Sequence, residues 1–157
     1  MQQDKIFMRQ AIALSLNGMK NGEGGPFGCV IVKNGAIIGR GNNRVTSTND
    51  PTAHAEVVAI RDACRHLNSF QLAGCTIYTS CEPCPMCLGA IYWARPDRIV
   101  YACTREDAAA MDFDDDFLYK ELVAPMSERR IPIVPLLREE GLVAFREWKN
   151  KGDKKAY

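Results

Sequence analysis

His54-Ala55-Glu56 and Pro83-Cys84-Pro85-Met86-Cys87 place an imidazole, two thiols and a carboxylate in two short motifs. These residue types suit a catalytic zinc site. Such a site keeps three protein ligands and an open fourth position for water, and His54, Cys84 and Cys87 supply one neutral nitrogen and two thiolates. Zinc lowers the pKa of bound water from about 16 to about 7, which makes hydroxide available at neutral pH. Glu56 stays off the metal, free to take the water's proton, pass it to a ring nitrogen and protonate a departing amine. The chemistry expected of this set is hydrolytic deamination, in which ammonia leaves and an oxo group remains.

The spacing says which elements must hold these groups. Cys84 and Cys87 are three positions apart and share one face of a helix. His54 and Glu56 are two apart, and in mid-helix such side chains diverge by about 200°. Both can address one metal only from a first turn. Asn49, Asp50 and Thr52 are capping residue types and Pro51 suits a first helical position, so a helix is expected to start there; Pro83 does the same ahead of Cys84. Two helices aimed at the metal by their positive ends would favour thiolate and hydroxide. The rival reading is a closed structural zinc module for partner binding, with Cys81 as fourth ligand, and it leaves Glu56 without a role. His66, the other histidine, reads as a surface residue in a helix's last turn.

The surrounding pattern is that of an α/β protein. Apolar residues from 4 to 20 (Phe7, Ala11, Leu14; Met8, Ile12, Leu16, Met19) recur at helical spacing and predict a packed first helix. Strands 27–33 and 37–43 flank Asn34-Gly35, a strong signal for a tight hairpin. A loop through Asp50 follows. Then come helix 53–67, strand 75–80, helix 84–94, strand 98–103, a broken helical stretch 106–123, strand 131–136 and helix 139–150. The fold class expected is a three-layer α/β/α sandwich with a five-stranded mixed sheet. Ligands would bind where strand ends meet helix starts.

At 157 residues, 46% hydrophobic and 25% charged, the chain reads as one domain, 1–157, with a proper core. Lys plus Arg number 20 against 19 acidic residues, a net charge of +1, which leaves no electrostatic footprint for nucleic acid and favours a small neutral substrate. Asp4, Lys5, Arg9 and Gln10 break up the 1–17 segment, so no signal-peptide core is read there, and no apolar run is long enough for a bilayer. A cytoplasmic protein without membrane partners is expected. Seven cysteines without a framework pattern suit reduced thiols, and Cys29, Cys64, Cys75 and Cys103 are assigned to the core.

With the metal motif in place, the chain resembles the cytidine deaminase fold superfamily, whose signature is His-x-Glu with Pro-Cys-x-x-Cys. Within it, Gly25-Pro26-Phe27-Gly28, Asn42-Asn43, Asn49 to Glu56, Ser80 to Cys87 and Phe113-Asp114-Asp115 look like the small bacterial guanine deaminases, nearly end to end. The resemblance implies one Zn2+ per chain and conversion of guanine to xanthine and ammonia by attack at C2. It implies that Phe27 stacks on the purine, Asn43 hydrogen-bonds its edge, Asp115 accepts from its donors, and Ala55 joins the binding surface. It also implies a homodimer with exchanged C-terminal segments, in which tail 149–157 covers an active site and Tyr157 binds substrate. Asp112 stands where Gly is usual, and Cys29 where Ala is usual. The rival enzymes are a tRNA adenosine deaminase, which should carry a more basic C-terminal helix than Arg138 to Tyr157, and a cytosine deaminase with a narrower pocket.

Overall fold

The computed structural model describes residues 2–113 and 115–157; Asp114 of the acidic motif lies outside the described residues. The chain divides into two compact units, Met1–Asp115 and Asp116–Tyr157.

In the first unit, helix α1 (Gln2–Lys20) leads into strands β1 (Gly28–Lys33) and β2 (Ala36–Asn42), followed by a short helix α2 (Val45–Thr48). Helix α3 (Ala55–Leu67), strand β3 (Cys75–Cys81), helix α4 (Pro85–Ala94), strand β4 (Arg98–Cys103) and helix α5 (Arg105–Ala109) complete it. The sheet order is β2-β1-β3-β4, with β1 antiparallel to both neighbours and β3 parallel to β4. Asn34 and Gly35 join the hairpin at φ 51° and 77°, the positive angles a two-residue turn of matching twist needs.

Two apolar layers sandwich this sheet. Phe7 and Ala11 of α1 pack on Val30, Val32 and Tyr78, while α3 and α4 cover the opposite face around Cys29, Ile31, Ile77 and Ile91. The α3 layer sits unusually close to the sheet because small residues meet there. A Cβ on Gly41 would lie 2.2 Å from the Ala55 carbonyl oxygen, and one on Gly39 would lie 2.6 Å from that of Ala59. Both glycines are therefore required for α3 to lie on β2, and that seating fixes where its N-terminus points.

The second unit carries α6 (Asp116–Val123), a short 3₁₀ turn (Met126–Glu128) and α7 (Arg138–Asn150). None of its residues is buried.

The three-layer α/β/α class is as expected, but the sheet has four strands among the described residues instead of five. Residues 131–136 form no strand, with Ile131 and Val134 exposed. Pro132 and Pro135 each remove a ladder donor, so an apolar run that reads as a strand cannot be a central one. Helix α1 is as long as expected, but it buries Phe7, Ala11, Ser15 and Gly18, whereas Ile12, Leu16 and Met19 are exposed. Of the cysteines assigned to the core, Cys29 and Cys75 are buried, Cys64 is half-buried and Cys103 is exposed on edge strand β4.

Candidate active site and metal centre

Two helix starts converge on one point. His54 is the N-cap of α3 and Cys84 the N-cap of α4, both in extended backbone (φ −68°, ψ 156° and φ −64°, ψ 167°), while Glu56 and Cys87 follow in the first turns. Pro85, rather than Pro83, is the first residue of α4. Nor do Asp50 and Thr52 cap α3. Asp50 Oδ1 accepts from the Thr52 N–H at 2.8 Å and its hydroxyl at 2.7 Å, an Asx turn that delivers the chain to His54.

The ligand geometry fits zinc. His54 Nδ1 lies 3.6 Å from Cys84 Sγ and 3.5 Å from Cys87 Sγ, and one donor atom from each of the three residues falls within 4.8 Å of the others. A tetrahedral ion with Zn–S near 2.3 Å and Zn–N near 2.0 Å demands S···N separations of about 3.5 Å. Nδ1 is thus the nitrogen turned to the metal position. Cys81 is not part of this group: its Sγ donates to the Thr104 carbonyl at 3.5 Å. The cluster has three protein donors and, among the described residues, no fourth, as a catalytic site needs and a closed structural one does not. His66 is exposed in the last turn of α3, as expected.

The two thiols are shifted in opposite directions by their contact with each other. The hydrogen bond from Cys87, then that from His54, draws Cys84 down to about 4, although burial opposes it. Cys87 is pushed up for the complementary reason, as donor to Cys84, with burial and the nearby Glu56 adding to the effect. His54 is raised by its hydrogen bond with Cys84 and by the charges of Cys84, Glu56 and Asp115, against burial.

Glu56 is buried, and burial raises its carboxyl above the usual range. Its Oε1 accepts from the Thr79 hydroxyl at 3.0 Å. Thr79 lies on β3 opposite Cys29 of β1, and Cys29 feels the Glu56 charge, so the residue that replaces the usual Ala borders the carboxylate.

The residues expected to touch a purine are partly assembled. Asn43 is buried at the end of β2, where its Oδ1 accepts from the backbone N–H groups of Val45 at 3.2 Å and Gly25 at 3.3 Å. With the oxygen so committed, its NH₂ is the end left to recognise a ligand. Phe27 is half-buried and meets Phe113 edge to face, ring centroids 5.0 Å apart at 87°. Ala55 is fully buried at the first position of α3. Asp115 lies near enough to influence His54 electrostatically, and Asp112 adopts φ 65°, a left-handed conformation that favours glycine, the residue the resemblance led us to expect there. Tyr157 ends the second unit, exposed.

Thr79 and the Phe113 ring contact were not anticipated from sequence. A signal for Thr79 exists: along β3, Cys75, Ile77, Thr79 and Cys81 alternate onto the buried α3 side, and a hydroxyl in that series requires a partner.

Comparison with known proteins agrees with this geometry. Residues 1–103 match the model of the cytidine and deoxycytidylate deaminase zinc-binding region. Guanine deaminase of Bacillus subtilis strain 168 is 56% identical over 153 residues, 98% of each chain. The crystal structure of guanine deaminase from Bacillus subtilis aligns with a TM-score of 0.95 at 55% identity, over 98% of each chain. A tRNA-specific adenosine deaminase of Streptococcus pyogenes serotype M1 is 33% identical over 144 residues, 92% of this chain and 78% of that one.

Proposed function

The chain belongs to the family of deaminases that share the cytidine and deoxycytidylate deaminase zinc-binding region, and from that premise we propose that it hydrolyses guanine to xanthine and ammonia. The observation that carries this reading is the open His54–Cys84–Cys87 cluster with Glu56 beside it, in a chain more than half identical to a guanine deaminase. Identity to the tRNA-specific adenosine deaminase of Streptococcus pyogenes is 33% over 92% of this chain, and a chloroplastic tRNA(adenine(34)) deaminase of Arabidopsis thaliana reaches 45% over only 62% of it.

His54 Nδ1, Cys84 Sγ and Cys87 Sγ would hold zinc. When bound, the metal acidifies a water and so provides the nucleophile at neutral pH. The positive ends of α3 and α4 favour the ionised sulfurs. Glu56 carries the protons: one oxygen rests on Thr79 while the other would accept the water's first proton and deliver it to the ring nitrogen next to C2, then take the remaining proton of the attacking oxygen and give it to the leaving amino group, so that the oxygen stays as the oxo group and ammonia departs. Its burial suits the proton-accepting half of this duty, because a raised carboxyl is a stronger base than an exposed one. Asn43 donates to an acceptor on the purine edge, Phe27 stacks on the ring, Asp115 accepts from its N–H groups, and Ala55 closes the surface against α3.

The same reading takes 1–157 as one deaminase domain acting as a homodimer, with C-terminal segments exchanged and tail 149–157 bringing Tyr157 to an active site. What supports it is apolar exposure: Val123, Ile131, Val134, Leu136 and Phe145 are each more than 70% exposed. Tyr92 on α4 and Tyr101 on edge strand β4 are exposed as well. Surfaces of this kind are normally covered in an assembly. All seven cysteines are free, which suits a reducing cytoplasm, and no helix among the described residues is long and apolar enough to cross a membrane.

The test is ammonia release by zinc-loaded protein from guanine, adenine, cytosine and a tRNA anticodon hairpin, with Glu56→Gln as control. Guanine turnover that falls about 10² to 10⁴-fold in the control, with zinc retained, is expected. Turnover on the hairpin alone would replace this reading with the tRNA one, and cytosine alone would shift the base recognised.

A further inference from the structure

We propose that Thr79 is a positioning residue for the reaction, the group that holds the Glu56 carboxylate in its working orientation. The proposal rests on the reading of Glu56 as proton carrier. Thr79 is 1% exposed and sits in the middle of β3, on the side packed by the apolar residues of α3. A hydroxyl there is costly unless it is hydrogen-bonded, and valine has the same shape without that cost. The hydroxyl's hydrogen bond runs to Glu56 Oε1 at 3.0 Å, across 23 residues of chain. Core packing therefore does not require the oxygen, and the carboxylate uses it.

The Glu56 carboxyl also receives its own backbone N–H, which ties it to the helix start, but no other side chain nearby can replace the Thr79 hydroxyl. Cys87 bonds to the carboxylate only while it carries a proton, and as a thiolate ligand it has none to give. Cys29, the cross-strand neighbour of Thr79, turns its Sγ to the Val30 carbonyl at 4.0 Å and is a weak donor at best. Thr79 keeps its donor whether or not a metal is present. By holding Oε1 it confines proton traffic to the second oxygen and stops the side chain from rotating away from the ligand cluster.

The experiment compares native protein with Thr79→Val, Thr79→Ser, Thr79→Ala and Glu56→Gln, measuring kcat and KM on guanine, zinc per chain and melting temperature. A buried hydrogen bond to a charged group translates into a loss of about 10 to 100-fold in kcat for Thr79→Val, with KM within about threefold. Thr79→Ser should return kcat to within about threefold of native, because it restores the donor without the methyl. Native-like kcat in a zinc-loaded Thr79→Val protein overturns the proposal. If Thr79→Val loses its fold or zinc, Ser and Ala decide, since they differ only in the hydroxyl: a serine variant as slow as alanine overturns the proposal, and a faster one supports it. Glu56→Gln separates the two levels. If it loses turnover while the Thr79 variants run at native speed, only the Thr79 role falls; if it keeps turnover, the reading of Glu56 falls and the Thr79 role with it.

Discussion

Asn43 offers the sharpest test of how the site recognises its substrate, because its two amide ends have different jobs. Oδ1 accepts two backbone N–H bonds, from Val45 at 3.2 Å and Gly25 at 3.3 Å, and the NH₂ is what we assign to the purine. Asn43→Asp keeps the shape and both acceptor contacts but deletes the donor. Its two N–H bonds become charge-assisted and offset much of the cost of a buried carboxylate, so stability should fall by less than in the alanine variant, by about 1 kcal/mol. At the substrate a donor–acceptor pair becomes two facing acceptors, worth about 1.5–3 kcal/mol, or roughly 10 to 150-fold in kcat/KM. Asn43→Ala deletes everything and leaves two partly buried N–H groups without their acceptor, for a stability loss of about 2–4 kcal/mol. The assays are steady-state turnover of guanine and urea denaturation, run in parallel. Full activity in Asn43→Asp would remove the donor from recognition. A loss of stability as large as that of alanine would mean that the two N–H bonds do not offset the buried charge, and would refute the stability half of the argument.

Chelating the zinc should abolish turnover and lower the melting temperature by about 5–10 °C, the linkage expected when free metal stands near a hundred times its dissociation constant; unchanged melting would argue against a metal held by His54, Cys84 and Cys87. Gly35→Ala, placed at φ 77°, should cost about 1–2 kcal/mol by denaturation and leave kcat nearly untouched, whereas a neutral result would mean the hairpin turn is not of the positive-φ kind. Burial and its hydrogen bond to Asp4 push Tyr78 up to about 12. Because the folded value lies above the unfolded one near 10, the stabilisation is complete below about pH 10 and disappears as pH rises towards 12. It amounts to about 2.7 kcal/mol at most and less after solvent screening, so native protein and Tyr78→Phe should converge in stability across that window; parallel curves would rule the linkage out. Truncation after Lys151 should reduce guanine turnover if the tail covers an active site, and an undiminished shortened enzyme would refute that role.

Residue chemistry and short spacings along the chain already specified the metal centre. His54, Cys84, Cys87 and Glu56 could be picked out because ligand type and first-turn spacing are local properties, and Asn34-Gly35 announced its hairpin for the same reason. Local signals misled where their meaning depends on neighbours. The run 131–136 has a strand's composition, but Pro132 and Pro135 deny it ladder donors. Asp50 has a capping side chain, but it closes a turn instead, and the helix begins at the ligand itself. The apolar period of α1 covers more of its surface than the sheet can bury, so Ile12, Leu16 and Met19 stay outside. Only the folded chain decided which end of Asn43 is committed to backbone and that Thr79 supports Glu56. The Asn43–Gly25 and Thr79–Glu56 contacts link residues 18 and 23 positions apart, brought together by the β1–β3 register and the glycine-mediated seating of α3 on β2. A local pattern can name a ligand, but the direction of a hydrogen bond depends on what the rest of the fold places opposite it.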